Sequence, residues 1–141
     1  MKRKLFFTSL LALFFGVALF LSSCEDPPPY CEVNNVGDIT IVNQTGFWFY
    51  FALDDYSDFR LNDGASKTYY DEPAGTHYFY IYDDFTSTWY YETEHLSSCE
   101  DLTFTWYLNK KKSSARSFVL EIARNGEVIK TLTEFKPAKN K

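Results

Sequence analysis

The chain has 141 residues, of which 20% are aromatic and 23% charged, with a formal net charge of −5. An acidic balance counts against a nucleic-acid partner, and this length holds one small domain rather than several. Taken in order, the chain begins with a positive cap, Lys2, Arg3 and Lys4, followed by an almost wholly apolar run from Leu5 to Leu21. A charged n-region, an apolar h-region and small residues after it form the pattern of a secretory signal. The alternative is an uncleaved membrane anchor. The run is about 17 residues, short of the roughly 20 that span a bilayer, and it ends in Ser22 and Ser23 rather than in aromatic and basic residues.

The segment Leu21-Ser22-Ser23-Cys24 resembles a bacterial lipobox. The resemblance implies that residues 1–23 are a lipoprotein signal peptide, forming an N-terminal signal helix. It also implies that Cys24 is acylated and becomes the first residue of the mature protein. One acyl chain holds only marginally; the three chains that the resemblance implies would make the membrane a permanent partner. Residues 24–36 then form a lipidated, proline-rich tether, in which Pro27, Pro28 and Pro29 favour an extended polyproline II spacer. Glu25 and Asp26 resemble the acidic signal by which some Gram-negative bacteria send lipoproteins to the outer face of the outer membrane. Acidic residues are also common in tethers. The expected location is therefore the outer membrane, with the surface and periplasmic faces both open.

Two further cysteines remain, Cys31 and Cys99. An exported chain matures in an oxidising compartment, so an even pair reads as a disulfide. Free thiols or a metal pair are the alternatives. Against a metal stand the absence of Cys-x-x-Cys and the presence of only two histidines, His77 and His95.

From residue 38 the hydrophobic period is two. Runs at Ile39–Val42, Phe47–Leu53, Lys67–Tyr70, Thr76–Tyr82, Thr88–Thr93, Leu102–Leu108, Phe118–Ala123 and Val128–Leu132 are separated by turn residues. Arg124-Asn125-Gly126-Glu127 carries Asn-Gly, the strongest two-residue hairpin signal. Aromatic and β-branched residues fill the runs, as strands prefer. Alternation nominates Phe47, Phe49, Phe51, Leu53, Phe79, Ile81, Phe104, Trp106, Leu108, Phe118, Leu120 and Ile122 as core. The expected fold is all-β: a single antiparallel immunoglobulin-like sandwich of about 7–8 strands over residues 37–135, followed by a basic tail at 136–141.

Several of these pieces, above all Pro73-Ala74-Gly75-Thr76-His77-Tyr78, resemble small immunoglobulin-like or transthyretin-like sandwich domains of bacterial surface proteins, including those with PEGA-type repeats. The resemblance covers roughly residues 38–108. It implies a fold and not a function.

No catalytic set stands out. There is no nucleophile elbow, phosphate-binding glycine loop or His-Glu-x-x-His, and no cofactor or metal is implied. His77 and His95 read as packing or surface residues. Glu92 and Glu94 lie two apart on one strand face, a pairing that so acidic a chain produces by chance. The acidic turns Asp54 to Asp58 and Asp83-Asp84 offer oxygen ligands but lack the spacing of a calcium loop.

Two features carry functional weight. Tyr78, Tyr80 and Tyr82 alternate with Phe79 and Ile81 and so share the opposite strand face. With Trp48 and Tyr50 they form the candidate binding face, which Tyr69, Tyr70, Tyr90 and Tyr91 would extend. Exposed aromatics stack on sugar rings or anchor protein partners; cross-strand tyrosines also simply stabilise sheets. Charge is segregated too. Residues 25–109 hold 16 acidic residues against Arg60 and Lys67, while residues 110–141 hold nine basic against three acidic. The expected function is a non-catalytic binding or adhesion module with a protein or glycan partner; the alternative is an accessory subunit of an envelope complex.

Overall fold

The computed structural model describes residues 26–84, 86–108 and 118–138. The lipobox, Cys24, the Lys110–Lys112 run and the last tail residues lie outside the described residues.

Residues 26–29 have no regular structure, but the tether does not stay extended to its end. Helix α1 (Tyr30–Asn34) makes a single turn, begun by the Pro29 carbonyl, which accepts the backbone N–H groups of Glu32 and Val33 at 3.0 and 3.2 Å. Asn35 ends it in the left-handed conformation, with φ 55° and ψ 51°, a state that asparagine tolerates better than most residues.

Among the described residues ten strands follow: β1 (Val36–Gln44), β2 (Phe49–Leu53), β3 (Phe59–Leu61), β4 (Ser66–Pro73), β5 (Gly75–Asp83), β6 (Thr88–Leu96), β7 (Asp101–Leu108), β8 (Phe118–Arg124), β9 (Glu127–Leu132) and β10 (Lys136–Pro137). They form two five-stranded sheets, in the orders β4-β1-β7-β8-β9 and β10-β6-β5-β2-β3. The fold is thus an all-β sandwich, with more strands than the expected 7–8. The additions, β3 and β10, are three and two residues long, too short to show a period. β10 also takes Lys136 and Pro137 out of the basic tail.

The sandwich is not wholly antiparallel. β1 pairs in parallel with β7, from Asp38↔Asp101 to Gln44↔Tyr107. Parallel neighbours need a long connection, and here it runs through β4 on one sheet and β2, β3, β5 and β6 on the other. Such a pairing leaves no local turn signal. The β8–β9 hairpin has the expected Asn-Gly turn, with φ 50° at Asn125 and 82° at Gly126.

Alternation sends Ile39 and Ile41, Phe49 and Phe51, Phe79 and Ile81, Leu102, Phe104 and Trp106, and Leu120 and Ile122 into one core. The sheets meet through aromatic contacts, with the Phe79 and Phe104 rings stacked at 4.8 Å and the Phe49 and Trp106 rings edge to face at 6.5 Å. Burying one such side chain contributes about 1.5–3 kcal/mol. Phe47 departs from the expected core and is 41% exposed. β2 begins only at Phe49, because the preceding turn is held by side chains. Asn43 Nδ2 donates to the carbonyls of Phe47 (2.7 Å) and Leu61 (2.9 Å), and Thr45 Oγ1 donates to Asn43 Oδ1 (2.9 Å). Leu108 and Phe118 are half-buried at the strand ends.

Lysines close the sandwich's open sides. Lys67, opposite the buried Ile41, lies 4.0 and 4.7 Å from the rings of Phe59 and Tyr69. Lys130, opposite the buried Ile122, reaches Glu92 at 3.0 Å and Glu94 at 3.1 Å on β6. Inward-pointing charges on edge strands also oppose strand addition from other chains. The paired glutamates are therefore the partners of one lysine. Cys31 of α1 and Cys99 of the β6–β7 turn stand at disulfide-bonding distance, with Cα atoms 5.0 Å apart. Beside them Gly37 has no room for a side chain, since a Cβ would strike the carbonyl of Glu100.

Asn43 is fully buried, and its amide binds two carbonyls. Asn43→Ala is expected to cost about 1–3 kcal/mol, because those carbonyls lose their donor without gaining water. The check is urea unfolding: a lower midpoint at an unchanged slope.

Candidate functional site

The site is the outer face of the sheet β10-β6-β5-β2-β3. Along β5, His77, Phe79 and Ile81 are buried, which turns Tyr78, Tyr80 and Tyr82 outward. Cross-strand register completes the face: Tyr50 lies opposite Tyr82, Tyr80 opposite Tyr91, and Tyr82 opposite Trp89. The rings form neighbouring pairs, Trp48–Tyr50 at 5.7 Å, Tyr78–Tyr80 at 6.4 Å, Tyr80–Tyr91 at 6.3 Å and Tyr82–Trp89 at 5.2 Å. Trp48, Tyr50 and Tyr78 are 42%, 36% and 44% exposed, and Tyr80 and Tyr82 are half-buried. Ala52 alternates onto the same face yet is fully buried, so the larger side chains around it close over the sheet.

All five nominated residues, Trp48, Tyr50, Tyr78, Tyr80 and Tyr82, therefore share one face. Of the proposed extensions only Tyr91 joins. Tyr69 and Tyr90 pack against the core, and Tyr70 belongs to β4 of the other sheet. Sequence reasoning missed Trp89 and Arg60. The signal for Trp89 was the turn after Asp83, whose length sets Trp89 across from Tyr82. Arg60 lies opposite Tyr50, with its guanidinium 4.6 Å from the Trp48 ring centre. Only the pairing of the short β3 reveals that.

The lower end of the face is held by Asp54, a residue at φ 47°. Its Oδ1 accepts the Tyr78 N–H at 2.6 Å, and its N–H donates to the Tyr78 carbonyl at 2.8 Å. Its Oδ2 contacts His77 Nδ1 at 2.6 Å, while His77 Nε2 donates to the Pro73 carbonyl at 2.8 Å. With both ring nitrogens engaged, His77 locks the β4–β5 corner to the β2–β3 turn and offers no lone pair to a substrate. This is the packing role expected of it. His95 lies in β6, one residue from its end and opposite Thr76 of β5, and is exposed.

Next to this lock lies a cleft of about 360 Å³ lined by Asp54, Asp55, Tyr56, Glu72, Pro73 and His77. Glu72 is buried and its Oε1 accepts the Tyr56 hydroxyl at 3.0 Å. That hydrogen bond and the Glu72 charge raise the Tyr56 pKa. Burial, reinforced by Glu72 and Tyr56, pushes Tyr69 up to about 12. Burial also raises Tyr80, with help from Tyr78, Asp54 and Asp55. Burial and a hydrogen bond to Glu121 raise Tyr107 strongly. Among the described residues no group of three or more His, Cys, Asp or Glu is arranged to hold a metal. The Asp54 carboxylate is already engaged by Tyr78 and His77, which separates it from a calcium role. Among the described residues no helix is long and apolar enough to cross a membrane.

No family model, curated protein or solved structure matches the chain.

The raised tyrosines set an alkaline limit. A phenol held above its unfolded value of about 10 keeps its proton longer in the folded state. Its contribution is complete below pH ~10 and is lost as pH rises towards the folded value, about 12 for Tyr69. Urea midpoints measured against pH should stay level up to about pH 10 and then fall, and Tyr69→Phe should flatten part of that fall.

Proposed function

We propose that this chain is a lipid-anchored protein of the outer membrane, held through Cys24, whose sandwich is a non-catalytic binding or adhesion module acting through its aromatic face. The observation that carries the reading is the set of paired rings on one sheet face, with Trp48, Tyr50 and Tyr78 each more than a third exposed. Aromatic rings clustered in the open lower the cost of excluding water against a partner, and tryptophan and tyrosine dominate binding hot spots. The sequence resemblance makes the domain immunoglobulin-like or transthyretin-like. Support comes from the two facing sheets, while the parallel β1–β7 pair departs from the antiparallel sheets of an immunoglobulin domain.

A second reading, an accessory subunit of an envelope complex, has its own observation. β9 is an edge strand, and its Val128 and Ile129 are 53% and 46% exposed. That exposed apolar pair offers a packing surface to a partner subunit, while Lys130 on the same strand opposes simple strand addition.

Two outcomes are expected. Cys24→Ser should move the protein from the membrane fraction to the soluble fraction; unchanged retention on fractionation would remove the lipid anchor from the proposal. For the face, the wild type should capture a ligand from immobilised glycans or purified envelope proteins. Tyr78→Ala combined with Trp48→Ala should weaken that capture at least tenfold, in line with hot-spot losses of about 2 kcal/mol. Circular dichroism of the variant should be unchanged, because both side chains are exposed.

A further inference from the structure

We infer that the aromatic face takes a cationic partner, namely an extended protein segment carrying arginine or lysine side chains; this rests on reading that face as a binding surface. The argument is charge complementarity along β5. Tyr78, Tyr80 and Tyr82 occupy the middle of the strand. At its lower end the β2–β3 turn brings Asp54 against the Tyr78 backbone, with the exposed Asp55 next to it. At its upper end the strand finishes at Asp83, which alternates with Ile81 away from the tyrosines and accepts the Thr86 hydroxyl, and is followed by the exposed Asp84. Both Asp54 and Asp55 are near enough to the Tyr80 hydroxyl to raise its pKa. From Tyr78 to Asp84 is six residues, about 20 Å of extended chain at 3.4 Å per residue. An extended segment lying along it would place basic side chains six residues apart, on one face of the segment, at the two acidic ends, with ring faces between.

The surroundings have the same sign. Between residues 48 and 96 the chain carries ten acidic side chains against Arg60 and Lys67. Asp54 and Asp55 at the lower end also line the cleft that holds the buried Glu72, which adds a further negative charge nearby. The protein itself shows what these rings accept, since Arg60 already lies over Trp48 at 4.6 Å. A guanidinium over an indole is a cation–π contact, and arginine is its commonest donor. Lys67 makes the same kind of contact with Phe59 and Tyr69 on the sandwich's open side. A polyanionic partner would meet repulsion from both ends of β5. A neutral glycan would stack on the rings but draw nothing from the aspartates.

The test uses the full-length chain and two synthetic peptides, Arg-Gly-Ser-Gly-Ser-Gly-Arg and the same peptide with citrulline in place of both arginines. Citrulline keeps the shape and removes the charge. Binding is followed by tryptophan fluorescence and calorimetry at two salt concentrations. The expected result has several parts. The arginine peptide should bind at least tenfold more tightly than the citrulline peptide, and its affinity should fall as salt is raised. Asp55→Asn with Asp84→Asn, both at exposed positions, should weaken it several-fold. Arg60→Ala, which removes a competing cation from Trp48, should leave it equal or tighter. Equal binding of the two peptides, no binding of either, or tighter binding in the asparagine variant would overturn the cationic partner. A cellohexaose titration and the Tyr78→Ala variant report separately on the face. If the two peptides bind equally or not at all while the hexasaccharide binds and Tyr78→Ala abolishes that binding, the aromatic surface stands and the cationic partner falls; if Tyr78→Ala changes the binding of neither peptide nor sugar, both fall.

Discussion

The contact on which this molecule depends is the packing of two sheets through aromatic rings, centred on Phe79 of β5 against Phe104 of β7. Successive residues of a strand face opposite ways, so fixing Phe79 and Ile81 inside fixes Tyr78, Tyr80 and Tyr82 outside. A one-residue slip of β5 would exchange the two sets, burying three hydroxyls and exposing the core. The register that stabilises the sandwich is therefore also the register that builds its aromatic face. Stability and surface chemistry are two sides of one strand.

Polar locks secure the ends of the same elements. Asn43 and Thr45 hold the β1–β2 turn to the end of β3. At the other end Asp54 and His77 tie the β2–β3 turn, the Pro73 carbonyl and the start of β5 together. Cys31 and Cys99 bring α1 against the β6–β7 turn. Each lock joins residues far apart in the chain, where a hydrogen bond or covalent link restricts the most freedom. The open sides are managed differently. Lys67 lies over rings, whereas Lys130 sits between two carboxylates, where burial lowers its pKa and the hydrogen bonds it donates to Glu92 and Glu94 more than reverse that.

The functional reading grows from what these locks leave exposed. An aromatic array on a rigid sheet presents contact area at little cost in side-chain entropy, because tyrosine and tryptophan have few rotatable bonds. Acidic residues at both ends of β5 add a sign to that surface and a direction along it. Electrostatics of this kind selects partners and speeds encounter more than it raises affinity. The rings would supply the holding energy and the aspartates the discrimination.

How much of this could be read in advance follows from the range of each interaction. Alternation, turn residues and composition act within a few positions. They marked the all-β class, eight of the ten strands, the Asn125-Gly126 hairpin, most of the core and all five residues of the candidate face. Phe47 misled because alternation was carried into a turn that the Asn43 side chain holds open. The parallel β1–β7 pair, the two short strands, Arg60 on the face, and the His77–Asp54 lock were decided by tertiary structure alone. These contacts join residues from 8 to more than 60 positions apart, and no local pattern encodes which distant segments meet. By itself the sequence determined which side chains each strand turns to water. The packing of the sheets decided which of them become neighbours, because only burial of the rings between the sheets sets the order of the strands.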